Sequence, residues 1–260
     1  MTQTARILPA DADGISRAAA LLAQGALVSF PTETVYGLGA DARKGTAVAE
    51  IYAAKGRPSF NPLIVHCADV ESAWTFAEPT SYARLLAERF WPGPLTMVLP
   101  LREGHGLSSL VTAGLPSVAL RVPQHPTAQA LLRAFNGPLA APSANPSGRI
   151  SAPTAAHVMA GLGDRIAAVV DDGPCAVGLE STIINLAGPA PTLLRAGGLP
   201  VEEIEALLTT PLATQSGSDV IAPGQLASHY APSAKVRLNA ETASEGELLL
   251  GFGPMDCTLN

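Results

Sequence analysis

The apolar residues of this chain come in short runs, and each run is cut by proline, glycine or a polar cluster. ALVSFPT (26–32), PLIVHCA (62–68), TMVLPL (96–101), SVALRVP (117–123), PLAAPSAN (138–145), IAAVVDDG (166–173), STIINL (181–186) and TLLRAG (192–197) are too short for buried helices and suit strands. Between them lie stretches with helical spacing. The first carries an apolar stripe of Ile15, Ala18, Ala19, Leu21 and Leu22, with Asp13 placed to cap it and Gly25 to end it. VAEIYAAKGR (48–57), SYARLLAERF (81–90), PTAQALLRAF (126–135), TAAHVMAGLG (154–163) and IEALL (204–208) are further helices. Two strands, 95–101 and 117–122, follow each other with no long helix between them. The expected class is therefore α/β, with a twisted mixed parallel/antiparallel sheet flanked by helices rather than a pure βαβ repeat. There is no internal repeat and no glycine-rich dinucleotide fingerprint.

Composition supports a packed but loop-rich chain. Of 260 residues 47% are hydrophobic and 15% charged, which excludes a disordered chain, while 24 Gly and 23 Pro supply the punctuation. The formal charge of −6 argues against a protein that coats nucleic acid. That acidity is local, however. Residues 1–200 hold 14 basic and 14 acidic side chains, and the deficit falls wholly on residues 201–260. Three scattered cysteines, Cys67, Cys175 and Cys257, suggest inert thiols rather than a disulfide framework or a zinc site. The polar start MTQTARILPADADG is unlike a signal peptide, and no apolar run is long enough for a membrane span, so a cytoplasmic setting is expected. After residue 205, TTPLATQSGSDVIAPGQ has no apolar period and is expected to be linker; KVRLNA and ELLLGFG near the end are candidate strands.

Reactive side chains gather where strands end. PTETVYGL (31–38) sets two hydroxyls and a carboxylate after a strand, in what is either a satisfied turn or part of a site. KGRPSFNP (55–62) puts Lys55 and Arg57 on either side of a glycine, a point charge beside a planar fork, which suits a polyphosphate as well as a solvated turn. APSANPSGR (141–149) offers Ser143, Asn145 and Ser147 on a proline-stiffened loop, either an ordinary turn or a phosphate cradle. Arg121 lies inside an apolar strand and must pair with a carboxylate of the protein or of a ligand; Arg195 poses the same question at another strand end. His66 closes an apolar strand, and Ser181 opens one. No metal-ligand spacing, Walker loop or nucleophile elbow is present. Residues alone thus point to an enzyme or binding protein with a cationic, hydroxyl-rich cleft for an anion, most simply a nucleotide, on which Lys55, Arg57, Arg121, Arg149 and Arg195 can converge.

Six segments together carry a closer likeness. FPTETVYGLG, KGRPSFNPLIVH, WPGPLT, VALRVP, AAPSANPSG and ESTII resemble, in order and spacing, the YrdC-type threonylcarbamoyl-AMP synthases over residues 10–205. The segment from Ala222 to Pro232 resembles the linker of that family's longer form, which adds a small Rossmann-like C-terminal domain. The resemblance implies a YrdC-like domain over 1–205, a linker or lid over 206–234, and the start of a shortened C-terminal domain over 235–260. It implies an enzyme, a nucleotidyltransferase that joins L-threonine, bicarbonate or CO2, and ATP into threonylcarbamoyl-AMP and pyrophosphate. The product goes to a threonylcarbamoyl transferase complex that modifies tRNA, and Mg2+ is expected as the companion of ATP, held through its phosphates.

By the same resemblance Lys55 and Arg57 hold the ATP phosphates and the charge that develops on them. Asn61, Ser117, Ser143, Ser151 and Arg195 line the nucleotide site, with Asn145 supporting Ser143. Thr34, His66, Arg121, Ser181 and the backbone of Ala141 hold threonine, and Tyr230 closes over the nucleotide. Two other functions remain open: an RNA-binding module using a basic concave face, or weak RNA binding as a side activity, and a carbamoyl-transfer enzyme of the hydrogenase-maturation kind.

Overall fold

The computed structural model describes residues 4–215, 220–225 and 234–251. The chain parts into two compact units, Met1–Tyr230 and Ala231–Asn260. The described strands are β1 (Arg6–Pro9), β2 (Val28–Phe30), β3 (Gly37–Asp41), β4 (Ile64–His66), β5 (Leu95–Pro100), β6 (Ser117–Arg121), β7 (Leu139–Ala140), β8 (Ala168–Asp171), β9 (Thr182–Asn185), β10 (Thr192–Arg195) and β11 (Ala213–Thr214). The described helices are α1 (Ala12–Ala23), α2 (Gly45–Lys55), α3 (Val70–Trp74), α4 (Ser81–Phe90), α5 (Ser109–Thr112), α6 (Pro126–Phe135), α7 (Ala155–Leu162) and α8 (Val201–Leu208). All the strands join one sheet in the order β1-β8-β2-β3-β7-β4-β6-β5-β9-β10-β11. Parallel junctions (β1/β8, β8/β2, β4/β6, β5/β9, β10/β11) and antiparallel ones are mixed along it.

Alternate residues of the strands face two different cores, as a pleat demands. Leu38, Ala40, Val65, Leu120 and Val169 pack on one face with Ile51 of α2 and Leu86 of α4. Val28, Phe30, Leu139, Ala168 and Val170 pack on the other with Leu22 of α1 and Leu131 of α6. Burial on both faces explains why the strands read as continuous apolar runs instead of alternating ones. The second face is only half covered. Beyond β7, its residues Ile64, Val98, Ala119 and Ile183 meet no helix of that core and gather instead around the fully buried Ala222. That uncovered half leaves room for a cavity.

Several details depart from the sequence reading. Asp11, not Asp13, caps α1, its carboxylate accepting from the Gly14 amide at 2.8 Å; Asp13 instead pairs with Arg17 one turn on. The PTETVYGL segment runs on into β3, a glycine-rich strand, because a side chain at Gly39 would stand 2.9 Å from the Phe30 ring and 3.1 Å from the Val28 carbonyl. The supposed linker is partly built into the first unit: α8 runs past residue 205 to Leu208, and Ala213–Thr214 pairs with β10. In the second unit KVRLNA forms no strand, and of ELLLGFG the described residues 247–251 contribute a single bridge residue at 250; Val236, Leu238, Leu248 and Leu250 are exposed.

Candidate functional site

β4 and β6 run parallel and end in register on His66 and Arg121. Both side chains share a face with Ile64 and Ala119, on the half of the sheet that no described helix covers. They line a cavity of about 470 Å³, its mouth included. Its walls come from loops held by backbone rails. The Ala141 amide donates to Ile64 O at 2.9 Å, Leu38 N to Pro142 O at 2.7 Å and Ala144 N to Tyr36 O at 2.8 Å. These bonds bring Ala141 and Ser143 to the cavity beside Gly37. Thr32 shapes the opposite loop: its hydroxyl donates to Val35 O at 2.7 Å and accepts from the Thr34 amide at 3.2 Å. Thr34, fully buried, faces the cavity and shares a 2.8 Å hydrogen bond with the Thr32 hydroxyl.

Three guanidinium groups enter the cavity, and their partners differ. Arg121 pairs with Glu33 at 2.6 Å, with side chains only 5% and 12% exposed. Arg195 pairs with Glu180 and also donates to Ser181 O at 2.9 and 3.1 Å. Arg57 has no carboxylate among its hydrogen-bond partners in the described residues. It donates to Asn61 Oδ1 at 2.6 Å, Pro62 O at 2.8 Å and Asn61 O at 3.3 Å. Burial, with Arg195 adding a smaller repulsion, pulls Arg57 down to about 10. The left-handed Gly56 (φ 62°) stops α2 and turns the chain so that Arg57 reaches this place.

Lys55 takes a position behind the wall. Its ammonium, 3% exposed, donates to Ser143 O at 2.6 Å and to Asn145 O, while its own carbonyl accepts from the Ser147 amide. Burial and the neighbouring Arg57 charge push it down to about 7. A neutral amine still carries two N–H donors, one for each carbonyl.

Of the residues expected from sequence, Arg57, Ser143, Arg195, Thr34, His66, Arg121, Ala141 and Ser181 line this one cavity. Four others stand behind it: Lys55 under the 143–145 loop, Asn61 on Arg57, Asn145 donating to Pro146 O and Arg149 O, and Ser151 donating to Glu180 at 2.7 Å. Ser117 begins β6, at the opposite end from Arg121, and is not among the cavity residues. Arg149 is exposed on its loop and does not join the convergence expected of it. Tyr230 lies outside the described residues. Sequence reasoning missed the carboxylates Glu33 and Glu180 as partners. The signal for them was present in the two arginines embedded in apolar strands, each of which requires a counter-charge.

His66 is 3% exposed, and its Nδ1 has no hydrogen-bond partner among the described residues. Burial, aided by the Arg121 charge, drives the imidazole down from 6.5 to about 3, so it is neutral in the folded chain. A neutral ring with an unpartnered nitrogen on a cavity wall is a ready hydrogen-bonding group for a ligand. The unfolded chain takes up a proton at His66 near pH 6.5 and the folded chain only near 3, so stability is lost as pH falls through that window. Replacing His66 with Gln should flatten this acid limb. Urea midpoints at pH 7 and pH 4.5 should fall less in the variant than in the parent, and equal losses would contradict the assignment.

Fold and cavity together define an α/β protein with an arginine-lined cavity on the half of a mixed sheet left open by the described helices. Comparison with known proteins gives this class a family. The model of the Sua5, YciO and YrdC proteins, described as "Telomere recombination", matches residues 20–197. A second model, described as "Threonylcarbamoyl-AMP synthase, C-terminal domain", matches residues 199–251. The chain belongs to the Sua5/YciO/YrdC family. It is 50% identical over 230 residues to the threonylcarbamoyl-AMP synthase of Bacillus subtilis strain 168, covering 86% of this chain and 66% of that protein. It is 47% identical over 225 residues to the enzyme of the same name from Pyrococcus abyssi, covering 84% and 66%. The chain thus spans just under two thirds of the length of these relatives. The crystal structure of P. abyssi Sua5 complexed with L-threonine superposes with a TM-score of 0.84 at 43% identity, over 90% of this chain and 70% of that one. HypF in its phosphate- and nucleotide-bound form, 18% identical with a TM-score of 0.63 over 72% of this chain and 29% of that one, shares the fold. Among the described residues no helix is long and apolar enough to cross a membrane.

Proposed function

We propose that this chain makes L-threonylcarbamoyl-AMP and pyrophosphate from L-threonine, bicarbonate or CO2, and ATP. The observation that carries this reading is the meeting, in one cavity, of an amino-acid-sized set (Arg121, His66, Thr34, Ser181) with a phosphate-sized set (Arg57, Ser143, Arg195). The similarity to a Sua5 crystallised with L-threonine supports it. Arg121 would take the threonine carboxylate, a charge-assisted pairing suited to a planar fork. The hydroxyls of Thr34 and Ser181 and the neutral ring of His66 would take the remaining polar groups. The threonine amine, once carboxylated, presents a carbamate oxygen to the α-phosphorus of ATP; the P–O bond forms as pyrophosphate leaves. Nothing in this sequence needs a covalent protein nucleophile. The chain's part is to hold both reactants in line and neutralise charge on the phosphates. Mg2+ would enter with ATP and share that neutralisation. Its ligands would be oxygens of the ATP phosphates and water, the usual company of Mg2+ at a nucleotide. The product, a reactive mixed anhydride, would pass to a threonylcarbamoyl transferase acting on tRNA.

The test is pyrophosphate release by the purified chain with each reactant left out in turn. Release that requires threonine and bicarbonate together, with threonylcarbamoyl-AMP identified by mass, is the expected result. Release indifferent to threonine would overturn the proposal.

A further inference from the structure

Arg121 presents one side of its guanidinium to the protein and keeps one nitrogen uncommitted. Its Nε donates to Gly93 O at 3.4 Å and its Nη2 to Glu33 Oε1 at 2.6 Å. Nη1 makes no hydrogen bond among the described residues, although the side chain is 5% exposed and lines the cavity. Glu33 does not line the cavity; its neighbours Thr32 and Thr34 do. Its second oxygen accepts from the Gln124 amide at 3.1 Å, just past the end of β6. The carboxylate therefore joins the loop after β2 to both the tip and the exit of β6, with both of its oxygens engaged. His125, Cys175 and Asp172 surround this junction, with Asp172 at 4.0 Å from the His125 ring.

An arginine has many rotamers, and a carboxylate site works only if the guanidinium is held in one of them. We propose that Glu33 is the positioning residue of the amino-acid carboxylate site: by binding Nη2 of Arg121 from behind, it leaves Nη1 to receive the α-carboxylate of the incoming amino acid. This rests on reading the cavity as a threonine site. The same pair also balances the cavity's charge, so a zwitterion meets a fixed dipole rather than a bare cation. The rival arrangement, in which Glu33 competes with the ligand for Arg121, makes the opposite prediction for affinity.

Calorimetric titration of L-threonine into the full chain separates the two. Glu33→Gln keeps the shape but turns one acceptor into a donor facing the Gln124 amide. It should weaken threonine binding tenfold or more while ATP affinity stays within twofold. Glu33→Ala should weaken threonine similarly, and sodium formate, which fills the vacated carboxylate position, should restore part of the loss without affecting the parent. Should Glu33→Ala lose cooperative melting, Glu33→Gln carries the test. Unchanged or tighter threonine binding in Glu33→Gln, or an equal loss for ATP, overturns the inference alone. A parent chain that binds no threonine would overturn the threonine reading, and this inference with it.

Discussion

Pyrophosphate release should fall on the order of a hundredfold when Arg57 is replaced with alanine. Arg121 and Arg195 arrive at the cavity with carboxylates already attached, but Arg57 rests on neutral oxygens of Asn61 and Pro62. A buried guanidinium whose hydrogen bonds all go to neutral oxygens, with Glu180 acting on it only through space, is costly, and burial draws it down to about 10. A polyphosphate would supply the missing counter-charge, most strongly as charge shifts toward the leaving group. Losing one such preorganised donor costs about 2.7–4 kcal/mol of transition-state stabilisation in comparable sites. Arg57→Lys should recover only part of the rate, because a point charge replaces a fork. Initial rates with saturating threonine and bicarbonate read the effect. Activity within threefold of the parent would show that Arg57 does not face the phosphates.

Lys55→Met should damage folding and turnover together, unlike Arg57→Ala. Methionine keeps the unbranched stem of lysine, one atom shorter, but donates nothing, so the Ser143 and Asn145 carbonyls lose their shared partner. At about 1–3 kcal/mol for each acceptor left unpaired, the expected loss is roughly 2–4 kcal/mol. The loop that loses its anchor carries Ser143 into the cavity, so turnover should drop by tenfold or more as well. Urea denaturation and initial rates on one preparation check both. A variant of parental stability with lost activity would place the Lys55 ammonium on the substrate and not under the loop.

Much of this was legible in the sequence, for reasons that differ by residue. The strand runs were readable because both faces of the sheet are buried, and apolar continuity needs no partner to be recognised. Arg121 announced itself because a charge inside VALRV cannot be left alone. The identity of its partner could not be read, since Glu33 is 88 residues away and only the folded chain brings the loop after β2 to the end of β6, four strands along the sheet. β3 was hidden because GLGAD has almost no strand propensity; its glycines answer to the Phe30 ring, a tertiary contact. Ala213–Thr214 was hidden in a Thr/Pro-rich stretch for the same reason: it is a strand only because β10 offers an edge. The role of Lys55 reads from sequence as a charge for phosphates; the two carbonyls beneath it come from a loop 88 and 90 residues further on.

The strand order has one more consequence, for curvature. Gly37 on β3 and Arg195 on β10 are six strand positions apart, which on a flat sheet is about 29 Å at ~4.8 Å per strand. Yet both border one cavity of about 470 Å³. The sheet therefore has to coil around the cavity like an incomplete barrel, with the cavity as the hollow of the coil. Strand spacing is fixed by hydrogen bonding, so the aperture can widen or narrow only through twist. The irregularity in the β9/β10 register between Leu193 and Arg195 is one of the points at which that twist is set.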